Sequence, residues 1–416
     1  MNEAAPALRR RFGPLALGVA AFVASAATFA AICWFDAAGP RDAVRVERVA
    51  VATRGAIVAE PPPPLADGPV RNVILLLGDG LGGAQIAAGR MHTRGSSGRL
   101  HLESLPVTGL VNTHSADGRV ARSDAAATAL ATGRKTRNGR IGTDPDGRPL
   151  RTIVEALADA GWATGLVTTT RITDATPASF ATHVLERQQQ VEIATELAAS
   201  RVDLLAGGGR QYFLPVGKAG GSRSDGRDLL TEARSRGVAV VADARGFEAA
   251  RTLPLFAIFP FEPQKTEPRS PTVGGLAERA IALLSSSGRP FFLLIEEEEI
   301  DSAAHANDLR RLAWALERFD EAVHHATEFA ARDGATLVIV TGDHSTGGPA
   351  IEEATSDRQL VVLWESIHHT GEPVPVFVYG PPAAAAPFTG VHDNTEIPGL
   401  IARALGVAFP EPATRR

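Results

Sequence analysis

The chain of 416 residues has one cysteine, Cys33, and no strong excess of either charge. A single cysteine excludes an intrachain disulfide and any cysteine-ligated metal site. The formal net charge of −5 gives no reason to expect nucleic acid as a partner. No internal repeat is visible, and 44% hydrophobic against 21% charged residues rules out wholesale disorder. What is present suffices for a sizeable core, in one large domain or two small ones.

Arg9, Arg10 and Arg11 precede an uncharged, largely apolar run over residues 13–35. As a helix it would reach about 34 Å at roughly 1.5 Å per residue, enough to span a bilayer. An uncleaved single-pass anchor is expected, with a cleaved signal ending at Ala24-Ser25-Ala26 as the alternative. The arginines would hold residues 1–12 in the cytoplasm and place the remainder on the periplasmic or extracellular side of the cytoplasmic membrane. Residues 36–70, with Pro61 to Pro64, read as an extended Pro-rich linker. Residues 71–409 read as one domain, the one expected to carry any catalysis, and 410–416 as a tail.

Strand-like and helix-like patterns alternate through that domain. Strands are expected at 164–168, 202–205 and 291–295, following helices near 153–160, 191–199 and 276–284. This predicts an α/β three-layer sandwich with a central, mainly parallel sheet flanked by helices. Residues 207–226, rich in Gly and Ser, read as a loop. His324 and His325 read as solvated or packed side chains, and Trp162, Trp314 and Trp364 as core or interface aromatics.

Three apolar strands end on acids or histidines: 73–77 before Asp79, 291–295 before Glu296, Asp301 and His305, and 337–340 before Asp343 and His344. In an open α/β sheet, groups just past the carboxyl ends of strands converge on one crevice. Carboxylates and neutral imidazoles are hard or borderline metal ligands, so a polynuclear metal site at the top of the sheet is the first hypothesis. Asp301 and His305 are four apart, at the start of a helical pattern continuing through Leu309 and Leu312, and can share one ion. The bland alternative is a dipole-favoured acid beside an exposed histidine.

Ser123 opens a strong helix-forming run that ends at Gly133. Its structural role would be an N-cap. Its functional role would be a nucleophile beside a phosphate bound at the helix N-terminus, with a metal stabilising the alkoxide.

With residues 72–80, 131–139, Asp174-Ala175-Thr176-Pro177, 296–305, 341–348 and His369-Thr370-Gly371 in this order, the chain resembles a bacterial alkaline phosphatase over most of 71–407. The resemblance implies hydrolysis of small-molecule phosphate monoesters through a phosphoserine on Ser123. It implies two Zn²⁺ and one Mg²⁺. Asp301, His305 and His369 match the ligands of one zinc, and Asp79, Asp343 and His344 those of a second zinc beside Ser123. Asp79, Thr176 and Glu296 match the magnesium ligands, and Arg187 the arginine that grips phosphate. A homodimer is implied by the same resemblance.

The departures are local. Arg122 stands before the nucleophile where the family usually has Asp, and an acid appears instead at Asp124. Arg187 is therefore expected to be less well positioned, while Arg122 either binds phosphate oxygens itself, or points to solvent or pairs with Asp124. Glu297, Glu298 and Glu299 add negative charge near the metals, and Ser302 replaces a larger or basic residue, with Asp174 kept. The rival readings are a phosphodiesterase or sulfatase of the same superfamily and a catalytically impaired phosphate-binding protein.

Overall fold

The structure, a computed structural model, describes residues 44–51, 56–260, 271–353 and 359–410. Its centre is a ten-stranded sheet in the spatial order Gly390–Asp393, Val107–Asn112, Val374–Tyr379, Thr336–Gly342, Asn72–Gly78, Phe291–Glu297, Ala163–Arg171, Leu204–Gly208, Leu255–Ile258, Ala239–Val241. Val374–Tyr379 runs antiparallel to both neighbours, and every other pairing is parallel. The mainly parallel sheet expected from the β/α alternation is therefore present.

The three layers follow from alternation along the central strand. Val73, Leu75 and Leu77 enter one core with Leu157, Leu197 and Ile401, carried by the helices Ile153–Asp159, Gln190–Ala199 and Ile397–Leu405. Ile74 and Leu76 enter the opposite core with Leu276, Leu316 and Val323, on the helices Val273–Ser285 and Leu309–Asp333. A strand covered on both faces reads as a continuous apolar run, which is why 73–77 carries no polar residue.

Two expectations need correction. Residues 36–70 are not simply a stalk: the compact unit begins at Arg45, and Arg45–Ala50 pairs in register with Gln359–Trp364 in a small three-stranded sheet. Glu47 Oε2 there accepts from Leu309 N at 3.0 Å and Trp364 Nε1 at 2.9 Å. Further along, Tyr379 Oη donates to Pro63 O at 2.7 Å, laying the proline run against the domain. An extended chain leaves its carbonyls unpaired, so whether it hangs in water or lies on a surface depends on distant donors rather than local composition. The second correction concerns the helix begun at Asp301. Glu299–His305 is a separate short helix, broken from Leu309–Asp333 at Asn307 (φ 51°), after which Asp308 caps the new helix by accepting from Arg311 N.

Most of 207–226 is loop, as expected, anchored by the buried Arg223, which donates to the Val191 and Tyr212 carbonyls. Trp364 is buried and Trp314 exposed, with the Arg318 guanidinium 5.1 Å over its ring. Among the described residues no helix is long and apolar enough to cross a membrane. The run 13–35 lies outside the described residues, as does the tail from 411.

Candidate active site

Strand Asn72–Gly78 places Asp79 at its carboxyl end, with Asp79 N donating to Glu297 O at 3.0 Å across the neighbouring strand. The chain then turns sharply at Gly80 (φ 71°), whose N–H donates to Asp343 Oδ1 at 3.1 Å. A Cβ at Gly80 would lie 3.0 Å from the Asp301 Cα, so the turn and the close approach of the helix Glu299–His305 both require glycine. Strand Thr336–Gly342 delivers Asp343 and His344, and both side chains are fully buried.

His369 arrives by a different route. A two-residue bridge pairs Ser345–Thr346 antiparallel with His369–Thr370, stacking the His369 ring on His344 with centroids 3.6 Å apart. His369 Nε2 then lies 3.1 Å from His305 Nε2 and 3.7 Å from Asp301 Oδ1. Asp301 Oδ2 is 3.1 Å from His305 Nε2, so the i, i+4 pair does converge, though on its own short helix.

Two groups of donor atoms result, each with all its atoms within 4.8 Å of one another: Asp301, His305 and His369, and Asp79, Asp301 and His344. The second differs from the expected set, since Asp301 rather than Asp343 completes it. Asp343 remains adjacent, with its Oδ2 3.3 Å from His344 Nε2. Glu296, at the end of its strand, accepts from the Thr168 hydroxyl, and Thr176 sits in the helix Ala175–Ser179 across the same cleft.

The electrostatics fit cations. Burial, then the neighbouring Asp343 and Asp301 carboxylates, push the Asp79 carboxyl well above its ordinary range. Burial likewise raises Glu296 to about 8 and Asp343 to about 7, with nearby acids adding to the rise. Asp79 Oδ1, Asp343 Oδ2 and the Thr176 hydroxyl are buried without a well-formed hydrogen bond. Buried carboxylates this crowded, with unused lone pairs, are stable as anions only beside positive charge. Mixed carboxylate and imidazole donors suit zinc, and the all-oxygen set of Asp79, Thr176 and Glu296 suits magnesium.

Ser123 does not cap its helix. Arg122 is the extended residue at the N-cap of Ser123–Thr132, and Ser123 is the first helical residue. Its hydroxyl is therefore not committed to the backbone, and it lies 3.3 Å from His344 Nε2. At the other end Gly133 closes the helix in the left-handed conformation (φ 71°), as the sequence run implied.

Arg187 is well held, contrary to the expectation drawn from Arg122. Its Nη1 lies 3.2 Å from Asp124 Oδ2 and its Nη2 2.9 Å from Asp174 Oδ1. Asp124 Oδ1 in turn accepts from Ala125 N and Gly139 N. The acid missing before the nucleophile is replaced by the one after it, because the first helical turn brings position 124 to the same guanidinium. Only the three-dimensional placement of Arg187 shows Asp124 as its partner; from the sequence the charge swap implies a looser Arg187 and offers Asp124 only as a partner for Arg122. Asp124→Asn should keep the fold but loosen Arg187, raising the inhibition constant for inorganic phosphate and lowering kcat/KM, each by roughly tenfold. Unchanged phosphate inhibition would remove Asp124 from this role.

The extra glutamates are mostly diverted. Glu297 accepts from the Thr169 hydroxyl at 2.9 Å and Glu299 N at 3.0 Å, and Glu299 pairs with Arg311. Glu298 alone of the three lines the cleft, accepting from the Ser302 hydroxyl at 2.6 Å. The cleft, about 650 Å³, is walled by Ser123, Arg187, Asp79, Glu296, Asp301 and His369, among others. A buried serine hydroxyl, a paired guanidinium and clustered metal-type donors at the carboxyl edge of a mainly parallel sheet fit a metal-dependent hydrolase of the α/β class.

Comparison with known proteins narrows the class. A sequence model of the alkaline phosphatase family matches residues 70–357. The repressible alkaline phosphatase of Saccharomyces cerevisiae is 38% identical over 347 residues, which cover 73% of this chain and 60% of that protein. Streptomycin-6-phosphate phosphatase of Streptomyces griseus is 35% identical over 413 residues, covering 82% of this chain and 91% of the relative. Among solved structures, alkaline phosphatase from the Antarctic bacterium TAB5 superposes with a TM-score of 0.74 at 32% identity, over 82% of this chain and 99% of that one. A variant of that enzyme has been solved with magnesium in its M3 site. The chain belongs to the alkaline phosphatase family, and it is a phosphoric monoester hydrolase. That assignment sets aside the diesterase and sulfatase readings.

Proposed function

We propose that this hydrolase works through a phosphoserine on Ser123, in a cleft loaded with two zinc ions and one magnesium. Asp301, His305 and His369 would hold one zinc, and Asp79, Asp343 and His344 the other beside Ser123. Asp79, Thr176 and Glu296 would hold the magnesium. The observation that carries the reading is the Ser123 hydroxyl, free of its helix backbone and 3.3 Å from His344 Nε2, among buried acidic oxygens that accept no well-formed hydrogen bond.

Zinc in this site supplies Lewis acidity, lowering the pKa of bound oxygen nucleophiles and stabilising a departing oxyanion. The chain's own groups do the rest. Arg187, fixed by Asp124 and Asp174, presents its guanidinium to two non-bridging oxygens of the phosphoryl group. Ser123 Oγ attacks phosphorus in line, the bond to the ester oxygen breaks, and the alcohol leaves with a proton. Water then attacks the phosphoserine, releasing inorganic phosphate and restoring the serine hydroxyl. The first backbone N–H groups of Ser123–Thr132 face the same anion and favour its accumulating charge.

The test is hydrolysis of a chromogenic phosphate monoester and of the corresponding diester by the purified protein. The monoester should be preferred by roughly a hundredfold or more, since a diester leaves one charged oxygen fewer for Arg187. Equal rates would refute the reading. Attachment to the membrane through residues 13–35, and a homodimer, complete the proposal. The full-length protein should stay in the membrane fraction through alkaline carbonate washing and sediment as a dimer once extracted. Release by the wash, or a mature N-terminus near Ala27, would refute the anchor.

A further inference from the structure

Arg187 shares its carboxylate partners with other arginines. Asp124 and Asp174 hold it, and Asp174 Oδ2 also pairs with Arg171 Nη2 at 2.8 Å, while Asp124 Oδ2 lies 3.6 Å from Arg122 Nε. Arg187 and Arg122 thus meet on one buried Asp124 oxygen. Arg122 is the looser of the two: its contact is the longer, and its side chain is 48% exposed, against 22% for Arg187. A contact this long and half-exposed leaves the guanidinium able to take a further anion.

Its position gives that guanidinium a use. Arg122 lines the same cleft as Ser123 and Arg187, beside Val120, Ala121, His368 and His369. The Ala121 carbonyl lies 3.0 Å from His369 Nδ1, so this wall stands next to the Asp301, His305 and His369 group. The cleft is otherwise lined largely by acids, among them Asp174 and Glu298. A second anionic group on a substrate would be repelled by those acids and attracted to Arg122. Because Arg122 Nε and Arg187 Nη1 approach the same Asp124 oxygen, the second anion must sit close to the phosphoryl group being transferred.

We propose that Arg122 is a specificity-determining residue, selecting phosphate monoesters whose leaving group carries a second phosphate a few bonds from the first. The inference rests on the phosphomonoesterase reading and adds a substrate class to it. Hydrolysis of one phosphate is unchanged in chemistry: the phosphorus–oxygen bond to the leaving group breaks, and the leaving group departs with its remaining phosphate still facing Arg122.

The experiment compares propane-1,3-diol monophosphate with propane-1,3-diol bisphosphate on the metal-loaded, full-length protein, by release of inorganic phosphate. In the wild type the ratio of kcat/KM, bisphosphate over monophosphate, should exceed the statistical factor by roughly tenfold, the worth of one charge-assisted contact. The excess should shrink as salt is raised. Arg122→Gln should lower that ratio by most of the tenfold, and Arg122→Lys should retain part of it. A wild-type ratio no larger than the statistical factor, or a ratio the same in Arg122→Gln, would overturn the subsite while leaving monoester hydrolysis intact. Failure to hydrolyse either compound would overturn the phosphomonoesterase reading and the subsite with it.

Discussion

Ser123→Ala should lower kcat for phosphate monoesters by roughly a thousandfold or more, and no phosphate should remain covalently bound to the protein after acid quenching. The loss is that large because the substitution removes the attacking oxygen itself: Ser123 Oγ stands at the head of its helix, against His344 Nε2. Stability should change little, by less than about 1 kcal/mol, because the hydroxyl does not cap its helix and only one side-chain oxygen is removed. That separation distinguishes this serine from an ordinary N-cap, whose loss would lower stability while sparing chemistry. Chemical denaturation and a radiolabelled phosphate trap measure the two halves. Phosphate still trapped in the variant would remove Ser123 as the nucleophile.

Stripping the metals should abolish activity, and restoration should require zinc, with magnesium raising the rate further. The pH dependence of reloading follows from the buried acids. Without cations, Glu296 is raised to about 8 and Asp343 to about 7, chiefly by burial, and Asp79 is raised by burial and by its acidic neighbours. At neutral pH the stripped site therefore carries protons that cations must displace. Loading should release protons to the buffer, and affinity should strengthen as pH rises through 7 to 8, where those protons are lost unaided. Calorimetry in buffers of different ionisation enthalpy reads the release directly. Heats independent of the buffer, or full activity in metal-free protein checked by elemental analysis, would sink the assignment.

Much of this site is visible in the residue order alone. Apolar strands ending on Asp79, Glu296 and Asp343 point to one crevice because strand direction in a parallel sheet puts all carboxyl ends together. His369 was assigned by resemblance only. Nothing local to residues 369–371 marks a ligand, since its position depends on the bridge between Ser345–Thr346 and His369–Thr370. Asp124 was read as a displaced charge and proves to be a partner of Arg187, a contact between residues 63 positions apart. Likewise the break at Asn307 separates two helices that share one hydrophobic pattern.

By itself the sequence determined the α/β class, the alternation of core-facing residues, the strand-end acids and the serine at the head of a helix. These depend on periodicity and on chain direction, which are local properties. Only the tertiary structure decided that Arg45–Ala50 belongs to the folded unit, that the Ser123 hydroxyl faces His344 rather than capping its helix, and that Arg187 is held by Asp124. It also placed Arg122 in the wall of the cleft. Each of these depends on which distant donor, acceptor or charge is brought within a few ångströms, and that is fixed by packing between elements rather than by the order of residues within one.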